Sequence, residues 1–240
     1  MTNTTPIKAK LMIGAVVLAS VCALTFGMNA PVSQSWAQFT LLLAAAVLTS
    51  RFKVKLPGIT TTMSVNLPVI LLGILHLSLL GSLIIAAAAG VAQCLTSGST
   101  KAKPVQLLFN ACNLLNATAL GYWAFHYKLV EAGFASHMLP LVLAAAAYFV
   151  ANTTPIAGII SLTEGGKAFS LWHKVFLWTF PNYVIGAGVA VITSAFGTAL
   201  GWITGAALVT VLFAVYQSYR TYVAHSTQMQ PRTMAMASGR

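Results

Sequence analysis

Apolar and polar positions alternate along this chain in long blocks. Apolar runs lie near 11–28, 36–50, 63–80, 81–97, 104–127, 138–162, 171–196 and 199–219, and the short segments between them carry most of the Lys and Arg. Each run is close to the roughly 17–25 residues that an α-helix needs to cross a bilayer. The uncharged stretch from Met63 to Ser97 is too long for one comfortable span and is divided at Leu80-Gly81, where glycine lets the chain turn tightly. The pattern predicts an all-α protein: a polytopic transmembrane helix bundle of about eight spans over residues 1–222, with 223–240 as a short, disordered cytoplasmic tail. Asn152-Thr153-Thr154-Pro155 is expected to break the sixth span and Pro181-Asn182 the seventh, because proline removes a backbone donor and frees a carbonyl four residues earlier.

Composition leaves little alternative to the membrane. Of 240 residues, 58% are hydrophobic and 6% charged, and the mean hydropathy is +0.83. A soluble domain carries about 25% charged residues, so this chain lacks the charge to cover a water-facing surface. The net charge of +11 does not point to nucleic acid, because the thirteen Lys and Arg are scattered beside apolar runs and not gathered on one polar face. With eight spans and a cytoplasmic N-terminus, the inner segments hold Lys8, Lys10, Arg51, Lys53, Lys55, Lys101, Lys103, Lys167, Lys174, Arg220, Arg232 and Arg240, and the outer ones only Lys128. If 63–97 crossed once, the same residues would divide six inside and seven outside. The cytoplasmic bias of Lys and Arg therefore selects eight spans, both termini cytoplasmic, in a bacterial inner membrane. Trp36, Trp123, Tyr127 and Trp202 fall near outer ends and Trp172 and Tyr219 near inner ones, the depth that amphipathic rings favour. The first run is longer than the apolar core of a secretory signal and reads as an uncleaved span. Cys22, Cys94 and Cys112 sit inside apolar runs without metal-binding spacing and read as packing residues.

Catalytic chemistry has little to draw on. The acids are Glu131 and Glu164 alone, with no aspartate anywhere in the chain. Metal-dependent transferases, two-metal phosphoryl transfer and zinc proteases of the H-E-x-x-H type all lack their ligands, and no G-x-S-x-G elbow occurs. The sequence reads as a protein that is not an enzyme and takes no cofactor or metal.

The polar residues within the runs are more informative. Ser64 and Asn66 open the third span; Asn110, Asn113 and Asn116 stand three apart in the fifth; Asn152 and Asn182 accompany the two prolines. Steps of three advance by about 300° around a helix, so the three amides of the fifth span form one slowly drifting stripe. Three readings stand open: amides bonding across helices as structural glue, on the order of 0.6 kcal/mol each; a polar pocket for a neutral or weakly charged small molecule; or a water-filled path. The inner loop Arg51-Phe52-Lys53-Val54-Lys55-Leu56-Pro57-Gly58 reads as a topology-setting basic loop or as an amphipathic segment in the headgroup layer.

Several segments taken together resemble the polytopic membrane sensor modules of bacterial cyclic-di-GMP signalling proteins with HD-GYP or GGDEF output domains. They are KLPGITTTMSVNLPVILLGIL (55–75), LLFNACNLLNATALGYWAF (107–125), YFVANTTPIAGIISL (148–162), LWTFPNYVIGAGVAV (177–191) and YQSYRTYVAH (216–225), covering roughly residues 45–225. The resemblance implies that Ser64, Asn66, Asn110, Asn152 and Asn182 belong to a shared polar core, and that 216–225 is the helix leading out of the membrane. It also implies a free-standing module, without an output domain, that works through another protein. The expected partners are the lipid bilayer, a cytoplasmic signalling or energising protein and a small-molecule ligand. The architecture is similar as well to the small substrate-binding membrane subunits of vitamin transporters, so a transporter or its binding subunit is the alternative function.

Overall fold

The computed structural model describes residues 6–31, 35–51, 53–55, 62–64, 66–95, 103–126 and 138–195. The chain divides into two compact units, Met1–Val191 and Ile192–Arg240, and of the second only 192–195 are described. The predicted span 199–219, the exit helix 216–225, the tail and the loop bearing Lys128 and Glu131 lie outside the described residues.

The fold is all-helical apart from one small ribbon. Helix α1 is Ile7–Asn29, α2 Trp36–Thr49, α3 Leu67–His76, α4 Leu79–Leu95, α5 Pro104–His126 and α6 Met138–Glu164. A short α7 (Ala168–Leu171) passes into a π-helical turn, Trp172–Phe176, then a 3₁₀ turn, Leu177–Thr179, and then α8, Phe180–Ala195. Between α2 and α3, β1 (Lys53–Lys55) pairs antiparallel with β2 (Thr62–Ser64), placing Lys53 opposite Ser64. Lys53–Lys55 of the basic loop thus forms one strand of an antiparallel pair, and Ser64 lies in the other, before the helix it was expected to open.

Helices α1 and α6 are long and apolar enough to cross a bilayer. Helix α5 matches α1 in length, at 23 residues, and carries the three stripe asparagines. Outward-facing positions are apolar as well as inward ones: Leu11, Leu18, Phe26, Leu120, Val142 and Val150 are exposed. Such an exterior suits lipid and is costly in water.

Helix α5 holds the centre, packing against α1, α3, α4 and α6. Small residues let the backbones close up there. A methyl added at Gly90 of α4 would lie 2.8 Å from the Ala111 Cα of α5, and one at Gly121 of α5 would lie 3.2 Å from the Ala144 carbonyl oxygen of α6. Close approach at small residues is the usual way to gain dispersion contacts between helices in lipid, where no hydrophobic drive separates helix from solvent. Leu79 and Leu83 of α4, Leu115 and Ala119 of α5 and Ala23 of α1 form one buried cluster within this contact.

Two predicted boundaries are corrected. The chain turns at Leu77-Ser78, not Leu80-Gly81, because Ser78 caps α4: its Oγ accepts the Gly81 N–H at 3.2 Å, leaving Gly81 buried inside the helix. The sixth span is not broken, since α6 runs through Pro155 without interruption. In the seventh the disturbance is real but takes the form of altered pitch. Pro181 has no N–H to give the Leu177 carbonyl four residues back, and the Phe180 N–H takes that carbonyl instead. The 3₁₀ turn is the geometry this i→i−3 bond imposes.

Candidate functional site

The amide stripe of α5 does not face one interior. Each step of three residues drifts by about 60°, and with side-chain reach this aims the three amides at three different neighbours. Asn110 Nδ2 donates to Cys94 Sγ on α4 at 3.3 Å. Asn116 Nδ2 donates to the Val16 carbonyl of α1 at 2.9 Å, while Ser20 Oγ lies 3.1 Å from Asn116 Oδ1. Asn113, between them, turns to α6.

Around Asn113 the polar core becomes a chain. Its Nδ2 donates to Asn152 Oδ1 at 2.8 Å and to the Asn152 carbonyl oxygen at 2.9 Å. Asn152 Nδ2 in turn donates to the Tyr183 hydroxyl at 3.1 Å, so the run Asn113–Asn152–Tyr183 joins α5, α6 and α8. Asn113 is wholly buried and Tyr183 nearly so. Next along α6, Thr153 Oγ1 donates to the Phe149 carbonyl at 2.7 Å and accepts the Trp172 indole N–H at 2.9 Å. The rings close around these groups: Phe149 lies 4.9 Å from Tyr183, 5.2 Å from Phe180 and 5.8 Å from Trp172, centre to centre, and Tyr148 lies 6.1 Å from Tyr183. Ring contacts of this kind, edge-to-face for Phe149 on Phe180 and Tyr183 and tilted for the other two, add to the burial that holds α6 against the π-helical turn and α8.

One amide atom stands apart. Among the described residues, Asn113 Oδ1 is buried and has no hydrogen-bond donor. Rotating the amide does not remedy this. The Asn152 carbonyl oxygen is a backbone acceptor that no side-chain flip can alter, so Nδ2 must face it and Oδ1 must face away. A buried acceptor left in this state costs about 1–3 kcal/mol.

The structure therefore brings together Asn113 and Asn152 and sends Asn110 and Asn116 to other helices. Asn66 occupies the N-cap position of α3 and is buried, and its side chain makes no capping hydrogen bond there. Ser64 lies in β2 and Asn182 in the first turn of α8; their side chains are outside the described residues. Sequence reasoning missed Tyr183, Thr153 and Trp172. Trp172, expected near an inner end, has a half-buried indole that donates to Thr153. The spacing Asn152-Thr153, one polar residue toward each of two partners, is the signal that could have found it. At the opposite end of α5, the His126 ring lies 3.1 Å from the Ile74 carbonyl of α3 and is tilted against the Tyr122 ring at 4.1 Å.

Fold and site define a helical bundle with an amide-centred, aromatic-walled core. Comparisons with family models, curated proteins and solved structures found no match.

Proposed function

We propose that the chain is a sensory or ligand-binding module of a bacterial inner membrane that acts through a cytoplasmic partner. Eight crossings put both termini in the cytoplasm. Ten-residue α3 is only about 15 Å long, half of a bilayer's hydrocarbon core, and a re-entrant α3 is the natural alternative. Such a segment would return the charge division to six inside and seven outside, whereas a crossing keeps twelve residues inside against Lys128 outside. Burial of Leu67–Ile74 also shields this short element from lipid, the condition under which interrupted backbone is tolerated at membrane depth. Reporter fusions at residue 130 are expected to read external. A cytoplasmic reading removes the eight-crossing topology.

The observation that carries the sensing reading is the adjacency of Asn152 and Thr153. Asn152, itself half-buried, belongs to the amide chain that starts at buried Asn113, and Thr153 holds Trp172, the first residue of the π-helical turn that leads by Lys174 toward the inner end. A change in the core can thus bias the pitch of the segment between α7 and α8, and π-turns within helices often mark functional sites. Phe169, exposed on α7 just before that turn, reports on it. With the other cysteines replaced, the rate of maleimide labelling in Phe169→Cys is expected to change about threefold when Asn152→Leu is added, the ratio that ~0.6 kcal/mol of coupling gives. An unchanged rate contradicts coupling between core and inner surface.

A further inference from the structure

The proposed ligand site can be given a ligand class. We infer that Asn113 Oδ1 is the recognition point for a small neutral molecule that presents an O–H or N–H donor on an apolar body. This rests on the reading of the core as a ligand site.

Three observations lead there. The acceptor is fixed: Asn113 Nδ2 is committed to the Asn152 carbonyl and Oδ1, so the amide oxygen cannot rotate toward them. It is buried and without a donor among the described residues. And the amide to which it belongs is continuous, through Asn152, with Tyr183, whose ring meets those of Tyr148 and Phe149. An amide oxygen asks for a donor and repels an anion. A cation fares no better. The described residues hold Glu164 as their one acid, and it is exposed at the end of α6. A charged guest would enter this depth unpaired. A neutral donor with an aromatic or aliphatic body meets the remaining requirements: it satisfies the amide oxygen and brings no charge to this depth.

A site built on an unfilled acceptor discriminates most sharply between molecules of the same size that have or lack the donor, because the second leaves the acceptor unpaired. Benzyl alcohol and anisole are isomers that differ in this respect. With the full chain in lipid nanodiscs, binding of each is measured by ligand-observed saturation-transfer NMR. Benzyl alcohol is expected to bind saturably and about tenfold more tightly than anisole, and Asn113→Leu is expected to erase that difference. Equal affinity of the two isomers for the wild type means that water alone serves Asn113 Oδ1 and overturns the inference. So does a preference that survives in Asn113→Leu. The isomer comparison on the wild type decides the matter even where the variant does not fold. Donor-selective binding that leaves labelling in Phe169→Cys unchanged upholds this inference and removes the sensing reading alone.

Discussion

Gly90→Val is expected to separate α4 from α5 and to destabilise the bundle by at least the ~1–3 kcal/mol that overpacking costs. The first atom of any side chain at this position would sit 2.8 Å from Ala111 Cα, 3.1 Å from the Ala111 nitrogen and 3.2 Å from the Asn110 carbonyl oxygen. All three are backbone atoms of a helix that is itself held by α1, α3 and α6, so nothing there can rotate out of the way. The damage spreads to the polar groups, since α5 carries Asn110 beside the contact and Asn113 one turn further on. The same substitution at Gly14 is the control. A side chain at Gly14 of α1 meets nothing within 4 Å, and Gly14→Val is expected to stay within about 0.5 kcal/mol of the parent. Equilibrium unfolding in mixed micelles, followed by the helical signal, compares the two. Equal losses would show that Gly90 is not at a close helix crossing.

Much of this fold was legible in the sequence because apolar helices announce themselves by what ends them. Helix α5 begins at Pro104, just past Lys103, and α6 ends at Glu164 before Gly165-Gly166, whose backbones take positive φ angles of 88° and 97°. Hydropathy sees such boundaries directly. It does not see the turn between α3 and α4, where every residue is uncharged and a cap chooses the position. A single Ser78 hydroxyl bonded to the Gly81 N–H outweighed the conformational freedom of Gly81. Nor does hydropathy distinguish a basic loop from the β1–β2 ribbon, in which three residues on each side suffice.

The candidate site was legible in part for a related reason. Composition picks out asparagines in apolar runs, but direction around a helix axis decides what each one does. A drift of about 60° per step separates Asn110, Asn113 and Asn116 among α4, α6 and α1. Tyr183 was invisible because its hydroxyl counts as a minor feature of an apolar ring, although it closes the chain of amides from α5 to α8. Pro155 misled for the opposite reason. It carries a strong local signal for a break, yet helices packed on α6 from several sides keep its backbone helical.

The central claim is that an amide chain running from buried Asn113 to Asn152 couples α5 to α6, and a double-mutant cycle on Asn113→Leu and Asn152→Leu tests it most directly. Asn113→Leu leaves Asn152 Oδ1 without its donor, and Asn152→Leu takes from Asn113 Nδ2 its side-chain acceptor and leaves the backbone carbonyl of residue 152; each is expected to cost about 1–3 kcal/mol in reversible unfolding. The double variant removes both amides and is expected to lose less than the sum, by roughly 0.6–1.7 kcal/mol, the range found for such bonds in membrane bundles. Losses that add to within about 0.3–0.5 kcal/mol would contradict the claim, because side chains bonded at 2.8 Å cannot behave as independent sites.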